Sequence, residues 1–131
     1  MTTAGENSIL LVDDDRFILD LYSEAFENGG FKTDTALGAA EALKKMRAGS
    51  FSVVILDVNM VAVDGIELLE MVRKEKLLPK ALFMMLTNDA NPDKIKKAHE
   101  LGAEAYLVKI ATPPELAVKK VSEVLQTKAK I

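Results

Sequence analysis

Four short apolar runs in this sequence end in groups that could do chemistry. SILLV (8–12) runs into Asp13, Asp14 and Asp15, and SVVIL (52–56) runs into Asp57, with Asn59 two residues on. ALFMML (81–86) leads to Thr87, Asn88 and Asp89, and AYLV (105–108) leads to Lys109. Each has an ordinary reading: aspartates before a helix cap it and complement its dipole, and a lone lysine at a strand end snorkels into water. Their conjunction says more. Two carboxylates about 4 Å apart repel by roughly 4 kcal/mol at an effective dielectric near 20, so a cluster of Asp13, Asp14 and Asp57 needs cations to offset it. Lys109 supplies one charge, and an all-oxygen site that also keeps waters suits Mg2+. With no cysteine and one histidine, there is little for zinc to bind.

The conjunction depends on elements that bring the four strand ends to one edge. Helical stripes alternate with the apolar runs: Phe17, Ile18, Leu21, Tyr22, Ala25 and Phe26; Ala39, Ala40, Leu43 and Met46; Ile66, Leu69 and Val72; Ile95, Ala98 and Leu101; Ala117, Val121, Val124 and Leu125. Asn28-Gly29-Gly30, Gly49 and Gly102 stop helices, Asn91-Pro92 starts one, and Thr112-Pro113 reads as the cap of the last. FKTDTA (31–36) is a more polar strand, suited to a sheet edge. Five βα units with strands apolar on both faces predict an α/β fold: a three-layer, doubly wound parallel sheet of five strands. In such a sheet, sites lie outside the carboxyl ends of the strands.

The 131 residues are the size of one domain, and 49% hydrophobic with 28% charged residues is an ordinary globular balance. A net charge of −3 without a long basic run argues against nucleic acid as a direct partner. KIKKAH (94–99), flanked by Asp93 and Glu100, reads as a solvated helix face, with His99 in water. MTTAGENS lacks the features of a signal peptide, and no apolar run is long enough to cross a bilayer, so a cytoplasmic setting is expected. Residues 1–7 and 128–131 read as frayed tails around a domain spanning 8–127.

SILLVDDD, VVILDVNMVAVDG, LFMMLT and AYLVK, in this order and spacing, resemble the receiver domain of bacterial two-component response regulators, close to the chemotaxis-regulator type. The likeness covers about residues 7–127. It implies a flavodoxin-like (βα)5 fold with strand order 2-1-3-4-5. It also implies a signalling switch and not an enzyme: Asp57 accepts a phosphoryl group from a phosphohistidine of a sensor histidine kinase or phosphotransfer protein. By the same likeness Asp13 and Asp14 hold Mg2+ with Asp57 and the main-chain carbonyl of Asn59, Asp14 more directly and Asp13 largely through water. Lys109 neutralises the phosphoryl oxygens, Thr87 moves to bond them, and Tyr106 is the aromatic that follows it. The surface built by the fourth helix, fifth strand and fifth helix then meets a downstream target protein, an output domain or, as a homodimer, a second copy. Asp15 matches no functional position and reads as a helix start; Phe51, Phe83, Met84 and Met85 read as packing.

Three positions depart from that pattern. Val61 replaces a common proline four residues after the phosphoacceptor, and Asn88 replaces a small residue after the threonine. Ile110 replaces the proline that follows the lysine through a cis bond. A cis bond before isoleucine costs about 2.5–4 kcal/mol, against roughly 0.5–1 before proline, so a trans Lys109–Ile110 bond and a rearranged loop are expected. Two other readings stand beside the switch. One is a pseudo-receiver that binds partners without phosphorylation, which the joint presence of Asp13, Asp14, Asp57, Thr87 and Lys109 opposes. The other is a Mg2+-dependent phosphohydrolase, which usually has an acid where this chain has Asn59.

Overall fold

The computed structural model describes residues 7–129; of the tails read from the sequence, residues 1–6 and 130–131 lie outside the described residues. The element order is β1 (Ser8–Asp13), α1 (Arg16–Asn28), β2 (Lys32–Leu37), α2 (Gly38–Ala48), β3 (Val53–Leu56), α3 (Gly65–Glu75), β4 (Leu82–Thr87), α4 (Pro92–Glu100), β5 (Ala105–Val108), a 3₁₀ turn (Lys109–Ala111) and α5 (Pro114–Ala129). All pairings are parallel, in the order β2-β1-β3-β4-β5. The fold is the predicted doubly wound, flavodoxin-like sheet.

Successive strand residues point to opposite faces, and both faces are covered, which is why the strands read as solid apolar runs. Leu10, Val12, Val54, Leu56, Phe83 and Met85 pack with residues of α2 and α3, while Ile9, Leu11, Val53, Ile55 and Met84 pack with residues of α1 and α5. Phe83, Met84 and Met85 are fully buried, Phe51 packs half-buried against the first cluster, and His99 is exposed, all as expected. Among the described residues β2 pairs only with β1, and it alternates exposed and covered positions, as an edge strand should.

Two details differ from the sequence reading. In α1 the buried residues are Leu19, Tyr22 and Phe26, whereas Phe17 and Leu21 are 70% and 43% exposed. The apolar residues of this helix exceed one face, and packing against the sheet and α5 covers the stripe that includes Leu19. In addition, α5 begins at Pro114, not at a Thr112 cap. Thr112 is buried at the end of the 3₁₀ turn, where its carbonyl accepts the Tyr22 hydroxyl at 2.8 Å. Asn91 caps α4 with Pro92 at its first turn, as predicted.

Candidate functional site

The strand register fixes the site before any side chain is considered. Val12 pairs with Leu56, Leu56 with Met85, and Thr87 with Val108. The residues that follow these pairs therefore emerge at one edge of the sheet.

At that edge Asp13 and Asp57 are only 4% and 6% exposed, and Thr87 is fully buried, while Asp14 faces solvent. Each of the three aspartates offers a carboxylate oxygen within 4.8 Å of the other two. The Lys109 ammonium reaches across, donating to Asp13 Oδ2 at 2.7 Å and to Asp57 Oδ2 at 3.2 Å. Its side chain is 13% exposed, so most of its length is sheltered from water.

Burial is the largest influence on Asp13 and lifts its pKa above the ordinary 3.8; the hydrogen bond from Lys109 opposes this, and the charge of Asp57 adds to it. Burial also disfavours the Lys109 cation, yet its hydrogen bond to Asp13 and the charge of Asp57 together raise it above 10.5. One ammonium for three carboxylates leaves the edge net negative, and the donor set is all oxygen. Those are the properties a hard divalent cation such as Mg2+ requires.

The loops are set by local bonds. Asp15 accepts from the N–H groups of Phe17 and Ile18, so it is the N-cap of α1, while Asp13 Oδ1 accepts from the Asp15 N–H at 3.0 Å. This turn separates the roles of three consecutive aspartates. After β3, Asn59 is exposed and its N–H points to Asp57 Oδ1 at 3.4 Å. The Val61 N–H donates to Asp14 Oδ2 at 3.0 Å, tying this loop to the one after β1. Asp64 and Glu67 form a capping box at the start of α3. Gly65 is required there by close approach: a Cβ would lie 2.0 Å from the Asp57 carbonyl oxygen.

Thr87 Oγ1 accepts from the Asp89 N–H at 3.2 Å. Tyr106 is half-buried, and its hydroxyl donates to the Asp89 carbonyl in the loop between β4 and α4. The Lys109–Ile110 bond is trans, as isoleucine dictates, and the chain continues into the 3₁₀ turn. Asn88 Oδ1 accepts the Ile110 N–H at 2.9 Å. Gly65, Asp89 and this side-chain tie were not assigned roles from the sequence. The Asp64-Gly65 dipeptide was a signal for the first; nothing local signals the Tyr106 bond to Asp89 or the Asn88–Ile110 tie, because those partners lie on distant segments.

The sequence matches the response regulator receiver domain family over residues 9–120. The chain belongs to this family. Among curated relatives, the receiver domain is 36% identical over 108 residues to the alkaline phosphatase synthesis transcriptional regulatory protein PhoP of Bacillus subtilis (strain 168), covering 82% of this chain and 44% of that one. The receiver domain thus spans less than half the length of that relative. Among solved structures it resembles a CheY-like response regulator receiver domain protein of Methanospirillum hungatei JF-1, with TM-score 0.87, 31% identity and coverage of 95% and 97% of the two chains. It also resembles the response regulator TrrA of Thermotoga maritima in complex with Mg(2+)-BeF, with TM-score 0.75, 30% identity and coverage of 92% and 97%. Among the described residues of the receiver domain, no helix is long and apolar enough to cross a membrane.

Proposed function

We propose that this receiver domain is a phosphorylation-dependent switch in which Asp57 takes a phosphoryl group from a phosphohistidine of a sensor histidine kinase or phosphotransfer protein. The observation that carries this reading is the Lys109 ammonium bridging buried Asp13 and Asp57 beside exposed Asp14. A carboxylate is a weak nucleophile, and phosphoryl transfer is mainly positioning and charge neutralisation. The donor's P–N bond breaks as a P–O bond forms to an Asp57 oxygen, and the released imidazole takes up a proton.

Asp13, Asp14, Asp57 and the Asn59 carbonyl would hold Mg2+, which when bound neutralises charge on the phosphoryl oxygens. The structure of TrrA with Mg(2+)-BeF supports that assignment by likeness. Lys109 shields the same oxygens, and Thr87, beneath its bond from Asp89, is placed to exchange that partner for the phosphoryl group. Because Tyr106 donates to the Asp89 carbonyl, a shift at Thr87 reaches the aromatic through two residues of chain. Two packings biased by one covalent group would then present different surfaces on α4, β5 and α5. A target protein, an output domain or a second copy would read that surface. For the 8–127 unit itself we read a cytoplasmic, protein-facing role without direct nucleic-acid contact.

Incubation with Mg2+ and acetyl phosphate, followed by mass spectrometry, tests this. One added phosphoryl group is expected on the wild type and none on Asp57→Asn. An adduct that survives Asp57→Asn overturns the site, and its absence on a wild type shown not to hydrolyse it rapidly favours a pseudo-receiver. Multiple turnover of organic phosphates would instead make the protein a hydrolase.

A further inference from the structure

The family pattern expects a small residue at 88 and a proline at 110, and in this chain the residues that replace them are bonded to each other. Asn88 Oδ1 accepts the Ile110 N–H at 2.9 Å. A proline at 110 would have no N–H to give. The bond also answers a local need, because the first N–H groups of a helical turn have no partner within it. Here the Thr112 N–H closes the 3₁₀ turn onto the Lys109 carbonyl at 3.0 Å, and Asn88 caps the Ile110 N–H from a neighbouring loop.

Neither side chain is there for packing: Ile110 is 88% exposed and Asn88 is also exposed. Asn88 follows Thr87 and Ile110 follows Lys109, the two groups that would face a phosphoryl group. The backbone ladder between β4 and β5 stops at the Thr87–Val108 pair, and the asparagine carries the connection one step further.

Building on the phosphorylation reading, we propose that Asn88 is a positioning residue that pins the trans Lys109–Ile110 turn to the Thr87 strand end, so that Lys109 and Thr87 act on the phosphoryl group as one unit. The contact takes the place of a proline-built turn. It sets where the lysine backbone starts, while Asp13 and Asp57 hold only its tip. A merely obstructive asparagine, narrowing access to Asp57, predicts the opposite sign: its removal would speed phosphorylation.

The test uses the full chain as wild type, Asn88→Ala, Asn88→Asp, Ile110→Pro and the Asn88→Ala/Ile110→Pro double variant. Amide hydrogen exchange by NMR should be about fivefold faster at Ile110 in Asn88→Ala, unchanged at Thr112, and near wild type in Asn88→Asp, which keeps the acceptor. With acetyl phosphate and saturating Mg2+, Asn88→Ala should lower the limiting phosphorylation rate about fivefold with unchanged half-saturation. In the Ile110→Pro background the same substitution should have no further effect. Unchanged Ile110 exchange in Asn88→Ala, or a faster phosphorylation rate, overturns the proposal. If the wild type takes no phosphoryl group, the phosphorylation reading fails by itself. The Lys109 Cε resonance then decides the positioning claim: a shift in Asn88→Ala sustains it and an unchanged signal overturns it.

Discussion

The two edges of the sheet are closed in different ways. At the amino ends, Ser8 and Ser52 exchange neutral hydrogen bonds, Ser52 N–H to the Ser8 carbonyl at 2.8 Å and two longer hydroxyl contacts at 3.3 Å, all partly open to water. At the carboxyl ends, Asp13, Asp57 and Thr87 are buried and the carboxylates share one ammonium. The same five strands thus carry an edge that only closes the fold and an edge that holds unresolved charge. Buried charge persists where it is paired. Placing three carboxylates against one lysine leaves the carboxyl edge short of positive charge, and this shortage suits it to a hard divalent cation.

The strongest way to break the contrast is Gly65→Ala. A methyl group 2.0 Å from the Asp57 carbonyl must push α3 away from the site, and a loss of about 3 kcal/mol in denaturant unfolding is expected, together with loss of the phosphoryl adduct. Lys109→Met comes next. Removing one partner of a fully buried pair costs roughly 3–5 kcal/mol. Because Asp14 faces water and Lys109 is 13% exposed, about 2 kcal/mol at neutral pH is expected, reduced for screening.

The pH dependence of that difference has a defined sign. Lys109 is raised in the fold, so its contribution is present at neutral pH and is lost as pH climbs past 10.5 and through its raised value. The wild type should therefore lose more stability than Lys109→Met on that alkaline limb. Asp13 is also raised, so its contribution is full below 3.8 and is lost as pH rises through its folded value. Asp13→Asn should lack that fall, which urea titrations at a series of pH values would show.

Adding Mg2+ at a hundred times its dissociation constant should stabilise the wild type by about 2.7 kcal/mol, and Asp14→Ala should lose most of this gain in a thermal melt. The smallest effect sharpens the comparison from the other edge. Ser52→Ala should change stability by no more than about 0.5 kcal/mol and leave the Mg2+ response unaltered. A large Mg2+ effect there would mean the two edges are coupled.

Much of this was legible in one dimension. Apolar runs, helical stripes and stop signals carried the five βα units. The strand-end residues Asp13, Asp14, Asp57, Thr87 and Lys109 pointed to one edge because parallel strands joined by right-handed crossovers put all their carboxyl ends together. The trans bond before Ile110 followed from its lack of a proline ring. The buried face of α1 did not follow, since its apolar residues outnumber the positions on one stripe and only packing on the sheet and α5 sets which of them are covered. The start of α5 shifted for a similar reason, with Thr112 engaged by Tyr22 ninety residues away in the chain.

The sequence by itself thus determined the element order, the doubly wound layering and the chemical types at the site, because these depend on periodicity, chirality and charge; the strand order was implied by the family likeness. Tertiary structure decided which groups touch: that Lys109 bridges Asp13 and Asp57, that Gly65 leaves room for the Asp57 backbone, and that Asn88 and Ile110 bond to each other. Those contacts join segments far apart in the chain, and a distance of 3 Å between them is set by packing, which no local pattern encodes.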